Sequence, residues 1–208
     1  MSQFNLFGAS DNMKVNEEVV YNLKDGTVVY YPNFFAKTKV EFNDLKSILR
    51  WQEGEITLYG KTHAIPRLHA WYSDDKDYSY SGVKLPRNNW NESLNILKEE
   101  IEKITKHQFN GCLCNLYRDG RDYAAWHSDD EFSLGRNPVI ASASFGESRK
   151  FVLKHRFDKS VEKVEIVLED KSLLIMKGAL QHNWKHQLNK TAKEVDERIN
   201  LTFRYIVD

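Results

Sequence analysis

His127-x-Asp129 and a histidine in Gln181-His182-Asn183-Trp184-Lys185-His186-Gln187-Leu188 offer two imidazoles and one carboxylate. That donor set holds a redox-active non-haem iron on one face and leaves coordination positions open for reaction. His127 and Asp129 are separated by one residue, so both project to one side of an extended segment. The third donor must come from a distant strand. His182 and His186 are four apart, on one face if their segment is extended, and the pattern alone leaves both open. His63, His69, His107 and His155 have no such company and are read as surface or hydrogen-bonded residues.

Near the C-terminus, Arg198-Ile-Asn-Leu-Thr-Phe-Arg204 alternates polar and apolar residues. On a strand, Arg198, Asn200, Thr202 and Arg204 share one face, and Ile199, Leu201 and Phe203 the other. A strand in the core does not turn two guanidiniums inward without an anion to meet them, because a buried lone charge is costly. A dicarboxylate beside the iron would supply that anion through charge-assisted contacts.

These residues need a scaffold that brings distant strands together. Short apolar runs recur from Gly111 onward: 112–117, 139–145, 150–154, 164–168, 172–176 and 199–207. Turn signals such as Arg118-Asp119-Gly120 and Arg136-Asn137-Pro138 separate them, which predicts an α+β, mainly β chain built as a β-sandwich or jelly roll. A strand is expected at 27–31 and helices at about 36–51 and 91–107, the second capped by Asn89 or Asn91; the two helices would brace one sheet. Residues 1–25 are read as a flexible lead-in and 26–208 as one domain.

At 208 residues with 41% apolar content, the chain can bury a core. No apolar run is long enough to cross a bilayer and the N-terminus lacks a signal peptide, so the expectation is a soluble, monomeric protein without a membrane partner, cytoplasmic in a prokaryote and nuclear or cytoplasmic in a eukaryote. Cys112 and Cys114 are expected in a strand with side chains on opposite faces, as packing residues rather than a disulfide. Net charge is zero, yet 149–163 concentrates Arg149, Lys150, Lys154, Arg156, Lys159 and Lys163, either a solvated hairpin or a phosphate-contacting surface.

The chain resembles the AlkB family of Fe(II)- and 2-oxoglutarate-dependent dioxygenases over about 59–204, most of all the animal members that repair alkylated duplex DNA. Carrying the resemblance are Leu58-Tyr59-Gly60-Lys61, Pro66-Arg67, Tyr78-Ser79-Tyr80-Ser81-Gly82, Asn115-Leu116-Tyr117-Arg118-Asp119-Gly120, His127-Ser128-Asp129-Asp130-Glu131, Ala143-Ser144-Phe145-Gly146, Trp184-Lys185-His186 and the arginine strand. It implies a double-stranded β-helix, and its Trp-x-His-x-Leu setting selects His186 as the third ligand. Fe(II), 2-oxoglutarate and O2 are the implied cofactor and co-substrates. Asn115, Tyr117, Arg198, Asn200, Thr202 and Arg204 would line the 2-oxoglutarate site, with Arg198 and Tyr117 at the far carboxylate and Arg204 nearer the keto acid.

The implied reaction is oxidative removal of N-methyl groups from bases such as 1-methyladenine and 3-methylcytosine in DNA or RNA, releasing formaldehyde and succinate. Alternative readings are an oxygenase acting on a protein or small molecule, and a non-catalytic metal-binding jelly roll. A nucleotide-recognition lid would span about 55–90. In it Tyr78 and Tyr80 match aromatics that stack on a flipped base, and Tyr59 matches a finger that fills the vacated gap. Arg67, Asp130 and Glu131 are grouped with these substrate contacts. Tyr59 and Tyr80 stand where close family members carry phenylalanine.

Overall fold

A computed structural model describes residues 17–58, 60–75, 78–80 and 83–207, at 57–58, 78–80 and 83–84 through the backbone only. Among these residues two sheets dominate. The larger has eight strands in the order β1 (Val19–Leu23), β2 (Gly26–Tyr31), β14 (Ser172–Lys177), β11 (Ile140–Gly146), β16 (Arg198–Arg204), β9 (Gly111–Tyr117), β5 (Leu68–Ser73) and β8 (Arg87–Asn88). The smaller runs β10 (Ala124–His127), β15 (Trp184–Leu188), β12 (Arg149–His155) and β13 (Val164–Leu168). Two ribbons, β3 (Glu55–Leu58) with β4 (Lys61–Ala64) and β6 (Tyr78–Tyr80) with β7 (Val83–Leu85), stand apart from both.

Period-2 alternation in the larger sheet makes two separate cores. Its outer face presents Ile199, Leu201 and Phe203 with Cys112, Cys114 and Leu116, and these pack against the helices. Its inner face presents Val28, Tyr30, Leu113 and Ile140, which meet Phe151, Leu153, Ile166 and Trp184 of the smaller sheet. Two sheets packed on a shared apolar layer, with helices on the far side of one, match the jelly roll expected from the strand pattern.

Helix α2 (Glu92–Thr105) begins where Asn91 Oδ1 accepts the Leu94 amide at 3.0 Å, and it ends at Lys106 in the left-handed conformation. Leu94, Leu97 and Ile101 are fully buried, whereas Ile104, one turn further on, faces solvent. Helix α1 (Phe42–Ile48) is shorter than its apolar spacing predicts. The Glu41–Asp44 capping box closes its start, and Ala36 and Thr38 instead donate to carbonyls three residues back in successive turns.

Three further expectations are corrected. Val19–Leu23, read as lead-in, pair with β2 as an edge strand. Strand β5, next to the edge of the sheet and unrecognised in the sequence, bridges β9 and β8. Cys112 and Cys114 lie on one face rather than two, because residues two apart on a strand share a side; their Sγ atoms are 3.8 Å apart and both are free thiols.

Candidate metal and co-substrate site

The two sheets part at one end around a cavity of about 690 Å³, within the range of small-molecule sites. Strand β10 brings His127 opposite His186 of β15. Asp129 follows two residues on, and the ligand atoms of all three lie within 4.8 Å of one another. His127 Nδ1 sits 2.7 Å from the Ala125 carbonyl, which only accepts, so Nδ1 carries the proton and Nε2 is left with its lone pair. The Nε2 atoms of His127 and His186 are 3.1 Å apart. Two imidazole nitrogens and a carboxylate converging in this way fit a divalent iron and leave part of its coordination sphere to other ligands.

His182 is not part of this cluster. It lies in the single-turn helix α3 (Leu180–Asn183), not on a strand, so four-residue spacing does not put it beside His186. Its Nε2 accepts the Asn137 amide at 3.3 Å.

Electrostatics support the metal site. Asp129 is buried, and its amide donates to Gln181 Oε1 at 3.0 Å. Burial raises its carboxyl pKa, but the Arg204 guanidinium, with Nη2 2.8 Å from Oδ1, and the His186 and His127 imidazoles together outweigh that and hold it at about 2. The His186 imidazole, buried and facing His127, is lowered to about 3. Both groups are therefore in their metal-binding protonation states at neutral pH.

A stability consequence follows for the metal-free protein. His186 takes up a proton near pH 6.5 when unfolded, but only near pH 3 when folded. Between those values the unfolded chain binds more protons, so stability falls as pH is lowered from about 6.5, by at most about 1.4 kcal/mol per unit from this group. Asp129 adds its own loss only below about pH 4. Urea midpoints measured from pH 7 to 5 should decline for the metal-free protein, and loading with Fe(II) should flatten that decline.

Alternation on β16 delivers all four polar residues into the cavity, buried. Arg198 is 1% exposed; its Nη2 donates to Ser144 Oγ at 2.8 Å and its guanidinium carbon lies 5.4 Å from the Tyr117 ring centre. Burial pushes its pKa down to about 10, still cationic at neutral pH, and its Nε has no partner among the described residues. A buried cation with an unmet donor fits a bound carboxylate. Asn200 donates to Ser142 Oγ and the Ala143 carbonyl, and accepts from Thr202 Oγ1. Asn115 Oδ1 accepts from Arg67 Nε at 2.7 Å, so these two expected site residues meet in the same cavity.

The lid residues divide. Tyr59 lies outside the described residues, and Tyr78 and Tyr80 are described only as backbone of the β6–β7 ribbon. Glu131 lines the cavity, but Asp130 does not: it points away and pairs with Arg156 at 2.7 Å. The basic stretch is likewise split. Arg149 is buried, donating to the carbonyls of Asp119, Asp122 and Asn189, and Lys150 pairs with Glu165.

Arg149 thereby ties the loop after β9 to the segment after β15, which also meet where Thr191 donates to the Gly120 carbonyl. A Cβ on Gly120 would lie 2.4 Å from the Thr191 carbonyl oxygen, so this approach requires glycine. Sequence reasoning passed over Arg149 and Gln181 as site residues. Their partners are backbone groups of remote segments, and no motif announces them.

Comparison with known proteins agrees with this geometry. A family model described as the 2OG-Fe(II) oxygenase superfamily matches residues 27–204. Alpha-ketoglutarate-dependent dioxygenase alkB homolog 3 of Bos taurus is 45% identical over 79% of this chain and 60% of its own length; the Homo sapiens protein is 39% identical over 86% and 66%. DNA oxidative demethylase ALKBH2 of Mus musculus is 31% identical over 96% of this chain and 88% of its own length. The chain thus spans 60–66% of the alkB homolog 3 relatives it matches. The solved structure of OsALKBH1 superposes with a TM-score of 0.57 at 18% identity, covering 90% of this chain and 100% of that one, which shows the fold.

Proposed function

The chain belongs to the AlkB family within the 2OG-Fe(II) oxygenase superfamily, and from that premise we propose that it removes N-linked methyl groups from nucleic-acid bases of the 1-methyladenine and 3-methylcytosine type. The observation that carries the reading is the convergence of His127, Asp129 and His186 beside the buried, anion-seeking Arg198 in one cavity. His127, Asp129 and His186 would hold Fe(II), which with 2-oxoglutarate and O2 would supply the oxidation of the methyl carbon. The resulting N-hydroxymethyl group would lose formaldehyde as its C–N bond breaks, the bonding pair returning to the ring nitrogen and the hydroxyl proton leaving.

The protein's own residues orient and protect. Arg198, stacked by Tyr117, takes the distal carboxylate of 2-oxoglutarate, while Arg67 holds the Asn115 side chain at the same pocket. Arg204 keeps Asp129 ionised and fixed. Leu113, Phe151, Leu168 and Met176 line the cavity and keep bulk water from it. The β3–β4 ribbon and the segment leading to Arg67 place Ile56, His63, Ile65 and Pro66 along the same cavity, which supports 55–90 as the nucleotide-recognition lid of one domain.

No helix among the described residues is long and apolar enough to cross a membrane. Free thiols at Cys112 and Cys114 support a reducing compartment, cytoplasm or nucleus, and we take the working unit to be a monomer. Incubation with Fe(II), 2-oxoglutarate, ascorbate and methylated DNA or RNA oligonucleotides should release formaldehyde and succinate in equal amounts. Succinate formation without demethylation of any base would keep the oxygenase and reject the substrate.

A further inference from the structure

The outer face of the four-stranded sheet carries aromatic and cationic groups whose stacking and charge the iron and co-substrate site does not use. Strand β10 is irregular there: Ala124 pairs with Leu188 and His127 with His186, so three steps on β10 face two on β15. Both ends of this bulge stay inward, Ala124 against Tyr117 and Leu188, His127 at the metal site. A bulge re-aims the residues inside it, and Trp126 turns toward Lys154, an outward residue of β12 whose Nζ lies 4.1 Å from the indole centre. Tyr123, just before β10, is covered in the same way by Lys190, Nζ 4.4 Å from its ring centre.

Charge on this face is unbalanced. Lys154 stands directly opposite Lys185 across the β12–β15 pair. Like charges in that relation destabilise a sheet unless an anion joins them. Lys150, on the same strand, is neutralised by Glu165, but Lys154, Lys185 and Lys190 have no carboxylate partner among the described residues. A shallow groove lined by Tyr123, Trp126, Gln187, Asn189 and Lys190 follows the face and shares Tyr123, Trp126 and Lys190 with the cavity rim.

We propose that this face binds single-stranded nucleic acid flanking the reacting base, with bases stacked on Trp126 and Tyr123 and phosphates met by Lys154, Lys185 and Lys190. Alternating ring and cation is the arrangement that tracks an unpaired strand without reading its sequence. An exposed lysine covers a ring only weakly, so each cation can swing to a phosphate as a base takes its place. A duplex keeps its base faces stacked and cannot use the rings. The inference rests on the reading that the substrate is a base in nucleic acid, and it concerns a surface that runs from Tyr123, Trp126 and Lys190, which also line the cavity, to Lys154 and Lys185 beyond it.

The test is equilibrium binding of a fluorescent, unmethylated thymidine oligomer of about twelve nucleotides to the full chain at several salt concentrations. The Lys154→Gln, Lys185→Gln double variant should lower the slope of log affinity against log salt by roughly 1.4, two phosphates at about 0.7 each. Trp126→Ala should weaken binding about tenfold, with Trp126→Phe restoring most of it. On methylated substrates, the double variant's KM penalty should grow from a trinucleotide to the longer oligomer.

Wild-type affinity and slope in the double variant would overturn the proposal, as would a penalty equal on short and long substrates, or competition by oligoglutamate as strong as by the oligomer. The two readings separate cleanly. Variant-sensitive binding without turnover of any methylated base sinks the substrate assignment alone, and turnover indifferent to these lysines sinks this surface alone.

Discussion

His186→Ala should abolish iron binding and turnover together, while His182→Ala should keep both. The two histidines are four residues apart and chemically identical, so the contrast tests geometry rather than composition. His186 Nε2 faces His127 Nε2 at 3.1 Å and lies in the cluster with Asp129. Losing it leaves two donors, and because even residues that merely orient ligands cost about 10–100-fold in metal affinity when replaced, loss of a ligand should cost more than about 100-fold. His182 only accepts the Asn137 amide, on the far side of a helical turn. Its removal should cost about 1 kcal/mol of stability from an amide left to water. Metal content by mass spectrometry and succinate formation at saturating 2-oxoglutarate read both variants; an iron-loaded His186→Ala or an iron-free His182→Ala would overturn the ligand assignment.

How much of this was legible beforehand depends on the range of the interactions. Strand β16 was readable because alternation is a local rule: the face carrying Arg198, Asn200, Thr202 and Arg204 follows from the order of residues alone, and the structure buries all four. His127 and Asp129 were readable for the same reason. The extent of α1 was misjudged because helical apolar spacing also arises in turns, and the capping box at Glu41 starts the helix later than the spacing suggests. Strand β5 escaped because it is buried on both faces, and Leu-His-Ala-Trp-Tyr-Ser shows no alternation to find. The outward turn of Trp126 depends on a register slip between strands about 60 residues apart. The separate fates of Arg198 and Arg204, alike in sequence, depend on which one reaches Asp129.

That last distinction gives opposite outcomes for two similar substitutions. Arg204→Met removes the cation that holds Asp129 ionised, leaving a buried carboxylate without compensation, and should cost the metal-free protein about 3–5 kcal/mol. Its carboxyl then titrates higher, so iron must displace a proton to bind and the pH at which loading is half complete rises. Bound Fe(II) supplies a replacement positive charge, so the loaded variant should recover part of the lost stability. Arg198→Met behaves the other way. Among the described residues Arg198 is a buried cation that meets no carboxylate and whose Nε has no partner, so replacing it with an apolar side chain of similar length removes a desolvation cost and should leave the melting temperature unchanged or raised. What it loses is the co-substrate: taking away one side of a buried charge pair costs about 2–5 kcal/mol of binding, so KM for 2-oxoglutarate should rise at least about 30-fold with iron affinity intact. Calorimetry of both metal-free variants and 2-oxoglutarate titrations of both loaded ones decide the matter. Equal destabilisation by the two substitutions would mean that Arg198 is a structural cation with an anion of its own, and the co-substrate clamp would have to be sought elsewhere in the cavity.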